Sequence, residues 1–304
     1  MTSGSTALRA DRTGVVLTAL SAAFFGSLAI YGKVAERMGI PLTELLAVRF
    51  GVAAVVLWIV ALVRRERLWW GRRSAGLAVM GLLYVAQAAT YFTSLKTVPA
   101  AVTSILLYLY PVIVMLLAAA FLGERLGRRR VAALALAGAG VFAVVDPLSP
   151  HGSIDPVGIL LGLATAAIYA TYILAGRVLL REVPAVVATA GIATAAGLVF
   201  AAVGASAGQL HRLDGAGYAL AGSMAIVATA IPATLFLAGL ARVGATRAAI
   251  ISTLEPAMTV VLAAVLLGEG LGPVRLLGGA VILVAAVIVA RNVAPDLVDP
   301  RVRE

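Results

Sequence analysis

The sequence has no cysteine, only two histidines and little charge, with Asp, Glu, Lys and Arg making up 12% of its 304 residues. Without cysteine there are no disulfides, no thiolate metal centres and no cysteine nucleophile, and the compartment stays open. His151 and His211 fall between apolar runs, so no zinc-binding helix pair exists. A phosphate loop and a dinucleotide fingerprint are missing too. An intramembrane enzyme would need paired acids or a nucleophile beside a base, and the apolar runs offer one central acid, Glu255. The chain therefore reads as a non-enzyme without cofactor or metal.

The scarcity of charge also excludes a water-soluble globule, because 62% of the residues are hydrophobic and the mean hydropathy is +1.04, against an apolar share of about half in soluble domains. A net charge of +10 would suggest nucleic acid if the cations were gathered on one surface. Here they lie in short loops between apolar runs, so nucleic acid is not an expected partner.

What is present in abundance is apolar sequence in lengths that match a bilayer, which needs about 20 residues per helix. Ten spans are expected, at 14–32, 42–63, 75–94, 99–121, 130–145, 157–176, 184–205, 217–238, 246–267 and 273–290. In lipid each run must close its own backbone hydrogen bonds, so the spans are helices. Barrel strands would alternate in polarity, and none do. The first run is long and nine more follow it, so it reads as a retained helix rather than a signal peptide. What remains is a tail at 1–13, a connecting loop at 146–156 and a tail at 291–304. With the N-terminus in the cytoplasm, eighteen Lys and Arg fall on that side and five on the other, with Arg49 inside the second span. The asymmetry obeys the positive-inside rule and places both termini in the cytoplasm. Trp69-Trp70 beside the basic loop 64–73 suits an interfacial anchor.

An internal repeat sets the architecture. Displaced by 145 positions, Pro256 falls on Pro111 and Gly268-Glu269 on Gly123-Glu124, while Glu255 meets Tyr110. Displaced by 144, Ser21-Ala22-Ala23 meets Thr165-Ala166-Ala167, and Gly32-Lys33-Val34 meets Gly176-Arg177-Val178. Each half holds five spans, an odd number, so the second half enters the membrane from the opposite side. The fold class expected is an all-α membrane protein of two inverted five-helix repeats, 14–145 and 157–290, an arrangement common in secondary transporters.

The runs PVIVMLLAAAFLGE at 111–124 and LEPAMTVVLAAVLLGE at 254–269, with Arg49-Phe50 in the second span, resemble the EamA-type branch of the drug/metabolite transporter superfamily. The resemblance covers about 14 to 290. It implies a ten-helix bundle around a central cavity in a bacterial inner membrane, and export of small organic metabolites such as amino acids, aromatic ones included, by alternating access. A multidrug or lipophilic-cation exporter is the alternative within that class. A non-transporting receptor or scaffold is the alternative outside it. The expected partners are a small solute and membrane lipid, with protons if transport is antiport rather than facilitated diffusion, and the oligomeric state is left open, a monomer being compatible.

Glu255 is the candidate proton-coupling residue, since an ionised acid at mid-membrane costs at least about 2.5–3.5 kcal/mol. It escapes that cost by staying protonated or by meeting a cation. The competing reading is a neutral acid that only joins two helices. Pro111, Pro232 and Pro256 are candidate hinges, because proline removes a backbone donor. Pro256 frees the carbonyl of Ser252 beside Glu255. Pro232 also reads as a merely tolerated proline. Cavity-lining residues are expected on helical faces: Phe24 and Ser27 with Tyr31; Tyr84, Gln87 and Tyr91; Tyr108 with Ser104; Tyr169 and Tyr172 with Thr165; and Ser252 with Glu255. Belt placement competes for Tyr31 and Tyr91. Arg49 is expected to find a structural partner such as Glu44 or a helix-end carbonyl, and Glu124 and Glu269 to accept hydrogen bonds from neighbouring helix ends. Gly158 and Gly162 are expected at a close helix contact.

Overall fold

A computed structural model of the chain describes residues 12–66, 72–122, 128–145, 155–179, 183–210, 213–243 and 245–292. Nearly all of both expected tails, most of the 146–156 loop, Trp69-Trp70, Gly123-Glu124 and both histidines lie outside the described residues.

Among the described residues every element is helical. The first expected span is two helices, α1 (Arg12–Gly26) and α2 (Leu28–Arg37), followed by α3 (Leu42–Val63) and α4 (Arg72–Ser94). The fourth is also divided, into α5 (Ala100–Leu107) and α6 (Tyr110–Leu122), and α7 (Arg128–Val145) completes the first half. The second half begins with α8 (Pro156–Leu179) and α9 (Ala185–Ser206). A further divided span joins α10 (Gly215–Ala225) to α11 (Ile231–Val243) through a π-helical turn, Ile226–Ala230. The ninth runs through α12 (Ala245–Ser252), α13 (Leu254–Leu262) and a second π turn, Ala263–Leu267. The last helix is α14 (Pro273–Asn292). Eight stretches are long and apolar enough to cross a membrane. The two others are shorter apolar helices, Val131–Val144 and Pro273–Ile288.

Each interruption has a local cause. Pro111, Pro232 and Pro256 all stand in the first turn of the segment that follows a break, where a missing N–H is least costly. The break between α1 and α2 involves no proline. It falls at Gly26-Ser27, a Gly/Ser pair of the kind that kinks helices, and the Ser27 hydroxyl and N–H both donate to the Phe24 carbonyl, at 2.6 and 3.1 Å. The first span remains one membrane-length stretch, Arg12–Arg37, with a kink at Ser27 that no proline announces.

The repeat is visible in the coordinates. Helices α3 and α9 each run 22 residues at a constant displacement of 143 (42 to 185, 63 to 206). Each is introduced by an extended proline, Pro41 or Pro184, and followed by a left-handed residue, Arg65 or Gly208. Helices α5 and α12 match at a displacement of 145 (100 to 245, 107 to 252). Packing follows the same pseudo-symmetry: α4 packs on α8 and α1 on α11, pairs that exchange when the halves exchange, while α3 packs on α9 and α7 on α14. The kinked spans break it. They meet through α5 and α13, and among the described residues no packing of that extent joins their counterparts α12 and α6.

Hydrophobicity is distributed for lipid. Ile59, Leu62, Leu160, Leu198, Val265 and Leu277 each expose more than half their surface, a pattern that only an apolar solvent tolerates over so large an area. The interior is close-packed: Leu45, Leu46, Phe50, Phe92 and Met224 form one cluster, and Val102, Leu106, Met115 and Ile282 a second. Small residues set the closest crossings. A Cβ at Gly278 would lie 2.8 Å from the Gly140 carbonyl, so α7 and α14 touch backbone to backbone. Gly162 lies under Leu106 and Gly158 under Val98.

Candidate functional site

The fourth and ninth spans are joined at their breaks by one phenol. The Tyr108 hydroxyl, at the α5–α6 break, lies 2.6 Å from the Ser252 carbonyl and 2.8 Å from Glu255 Oε2. The Ser252 carbonyl has no helical partner because the residue four positions on is Pro256, so Tyr108 satisfies an acceptor that would otherwise cost several kcal/mol in lipid. Immediately beside this joint the Thr259 hydroxyl donates to the Gly26 carbonyl at 2.9 Å, and the Ser104 hydroxyl donates to Thr259 at 3.2 Å. Gly26 permits the approach, since a Cβ there would stand 2.9 Å from the Glu255 carbonyl.

From Tyr108 a file of aromatic rings runs away from the acid. Tyr108 meets Tyr110 edge-on at 5.9 Å between centroids, Tyr110 meets Tyr169 at 4.9 Å, Tyr169 stacks on Tyr172 at 5.8 Å, and Tyr172 reaches Tyr84 at 5.6 Å. Phe50 and Phe200 continue it at 5.5 and 5.9 Å. Tyr84, Tyr110, Tyr169, Tyr172, Ser252 and Glu255 keep part of their surface accessible, whereas Tyr108 is buried. The rings and the single acid form a surface suited to a flat ring and an ammonium group.

The other candidates are more scattered. Phe24 and Ser27 are half-buried at the α1 break, with the Ser27 hydroxyl engaged by the Phe24 carbonyl. Gln87 is half-buried, one turn beyond Tyr84 on α4. Tyr91 is in the core, edge-on to Phe92 at 5.4 Å. Thr165 donates to the Thr90 hydroxyl at 2.9 Å and Tyr31 packs against the core.

Arg49 differs from expectation. Its guanidinium is buried, Nε donates to the Thr229 hydroxyl at 2.9 Å, and its charge lies over the Phe50 ring at 4.5 Å and near Phe92 at 5.5 Å. Its partners are thus Thr229 in the π-helical turn before Pro232 and Tyr84 on α4, rather than Glu44 or a helix end. Glu269 accepts the N–H of Ala100, the first residue of α5, at 2.8 Å. Tyr110, Thr229 and Thr259 complete this region without having been marked as site residues. Only Tyr110 carried a signal, as the repeat counterpart of Glu255.

The family model for the EamA-like transporter family matches residues 12–146 and again 156–291. The chain belongs to the EamA-like transporter family. It is similar to the uncharacterized transporter YcbK of Bacillus subtilis (strain 168), 26% identical over 282 residues, covering 89% of this chain and 90% of that protein. It is also similar to an uncharacterized transporter of Archaeoglobus fulgidus, 27% identical over 289 residues, covering 93% and 98%. A crystal structure, 23% identical, superposes with a TM-score of 0.64 over 92% of this chain and 99% of the other. At that identity the likeness establishes the fold alone. This EamA-like chain is accordingly a multi-pass membrane protein of a transporter family.

Proposed function

We propose that the chain is a secondary transporter of a bacterial inner membrane, with ten spans in two inverted repeats (14–145 and 157–290) and cytoplasmic termini. It exports a small organic solute by alternating access, and Pro111, Pro232 and Pro256 serve as hinges. The solute is an amino acid, with aromatic side chains favoured. The observation that carries this reading is the file of rings from Tyr84 to Tyr108 ending at Glu255: rings receive an aromatic side chain and the acid receives an ammonium group or a proton. Phe24, Ser27, Gln87 and Tyr91 belong to the same region in this reading.

The same acid among rings, with no second charged group beside it, also suits a lipophilic cation without a carboxylate, so a multidrug exporter is the second reading. Purified protein in liposomes separates the two. Protein-dependent flux of labelled aromatic amino acids supports the first, and flux of lipophilic cations alone supports the second. No flux of either, in either direction, would overturn transport and favour a receptor or scaffold.

A further inference from the structure

The oxygens of Tyr108, Ser252 and Glu255 pose a question of proton count. A phenol has one proton and a carbonyl none, yet the phenol oxygen lies 2.6 Å from Ser252 O and 2.8 Å from Glu255 Oε2. One phenol proton cannot bond both acceptors at full strength, and a protonated Glu255 carboxyl would supply the second. With Glu255 protonated, its carboxyl donates to the phenol and the phenol donates to Ser252. With Glu255 ionised, the phenol proton turns to the carboxylate, because charge-assisted bonds are the stronger. The Ser252 carbonyl then faces a phenol lone pair and cannot turn to its own helix, where Pro256 offers no N–H.

We propose that Tyr108 couples the proton on Glu255 to the joint between the fourth and ninth spans: the joint holds while Glu255 is protonated, and when it ionises the one bond left to the carboxylate does not offset a charge and a bare Ser252 carbonyl kept from water, so the joint opens to water. This rests on the transport reading above and names the residue that would make it proton-dependent. The joint lies where α2, α5 and α13 pack together, so opening it would separate the only pairing of that extent between the fourth and ninth spans among the described residues. The arrangement is one-sided. At the displacement of 145, Tyr108 falls on Thr253, Ser104 on Ala249, Glu255 on Tyr110 and Thr259 on Val114, so the counterpart positions carry no acid, and a threonine where the joint has its phenol. One gate of the pair is thereby proton-dependent and the other is not.

The titratable groups that face Glu255 are Tyr108 and Tyr110 at the α5–α6 break, Tyr169 on α8 and Tyr91 on α4. The charged residues of α2 are engaged elsewhere: Lys33 pairs with Glu36 at 3.4 Å, and Arg37 donates to the Leu267 carbonyl at 3.2 Å.

The cysteine-free chain allows spin labels at Lys96→Cys and Gly270→Cys, just before α5 and just after the second π turn, in the full-length protein in lipid nanodiscs. The expected result is a label distance that lengthens from acidic to alkaline buffer. Glu255→Gln, whose amide donates at every pH, should hold it short throughout, and Tyr108→Phe should remove the pH response. Pro256→Ala restores an N–H for Ser252 and should weaken the response. A Tyr108→Phe protein that responds to pH as the parent does overturns the proposal. Should that variant not fold, an undiminished response in Pro256→Ala overturns it. Proton coupling itself fails separately, if Glu255→Gln keeps the parent's flux and pH dependence in liposomes. Loss of response in Glu255→Gln with retention in Tyr108→Phe refutes only the role of Tyr108.

Discussion

A guanidinium with 1% of its surface exposed, held by the hydroxyls of Thr229 and Tyr84 and by two phenyl rings, is hard to replace on geometric grounds. Lysine has no planar face to lay on Phe50 and no Nε fixed toward Thr229. Arg49→Lys should therefore lower stability by about 1–3 kcal/mol, read as a fall in melting temperature in detergent. An unchanged melting temperature would mean that neither the rings nor Thr229 contributes. The sequence marked Arg49 as a lone intramembrane cation and proposed a partner by proximity along the chain. One partner, Thr229, is 180 residues away, and nothing in a sequence announces which hydroxyl a π turn will present. Glu255 is the opposite case. Its position before Pro256, and the freed carbonyl beside it, were legible from helix geometry alone, and the missing third member, Tyr108, already stood on a candidate face. What pattern reasoning lacked was the distance between the two breaks.

At the scale of the element, proline predicted three interruptions and chemistry without proline supplied the fourth. Helix periodicity carries no warning of a π turn, which is why Ile226–Ala230 and Ala263–Leu267 escaped notice. Crossing distances are more open to test. Gly278→Leu on α14 would drive a side chain into the Gly140 carbonyl, 2.8 Å from the new Cβ, whereas nothing lies within 4 Å of Gly138 on α7. The first should cost about 1–3 kcal/mol by overpacking and the second almost nothing. Equal melting temperatures for the two variants would argue that α7 and α14 do not cross as described. Outside the membrane spans, Asp155 caps α8. The Thr97 hydroxyl and the N–H groups of Val157 and Gly158 hold its carboxyl below the usual carboxylate range. A carboxyl depressed in the folded state contributes stability at neutral pH and loses it as pH falls through the folded value. Acid melting curves of the parent should therefore converge with those of Asp155→Asn at low pH, and parallel curves would refute the cap.

The whole molecule is where the sequence spoke most clearly, because a repeat and a charge bias are properties of the full chain rather than of any contact. The constant displacements between α3 and α9, and between α5 and α12, reproduce what the paired Pro and Gly-Glu positions foretold. The orientation rests on cations alone. Moving Lys or Arg across the bilayer is unfavourable, and the eighteen-to-five partition assigns the turn after α3 to the cytoplasm and the turn after α4 to the outside. Lys96→Cys and Arg64→Cys, made singly in the cysteine-free chain, test this directly. A membrane-impermeant maleimide applied to intact cells should modify Lys96→Cys and spare Arg64→Cys, and permeabilisation should expose Arg64→Cys. The reverse pattern would invert every span together, the Tyr108 joint with them. Labelling of both in intact cells would deny that α4 crosses the membrane at all.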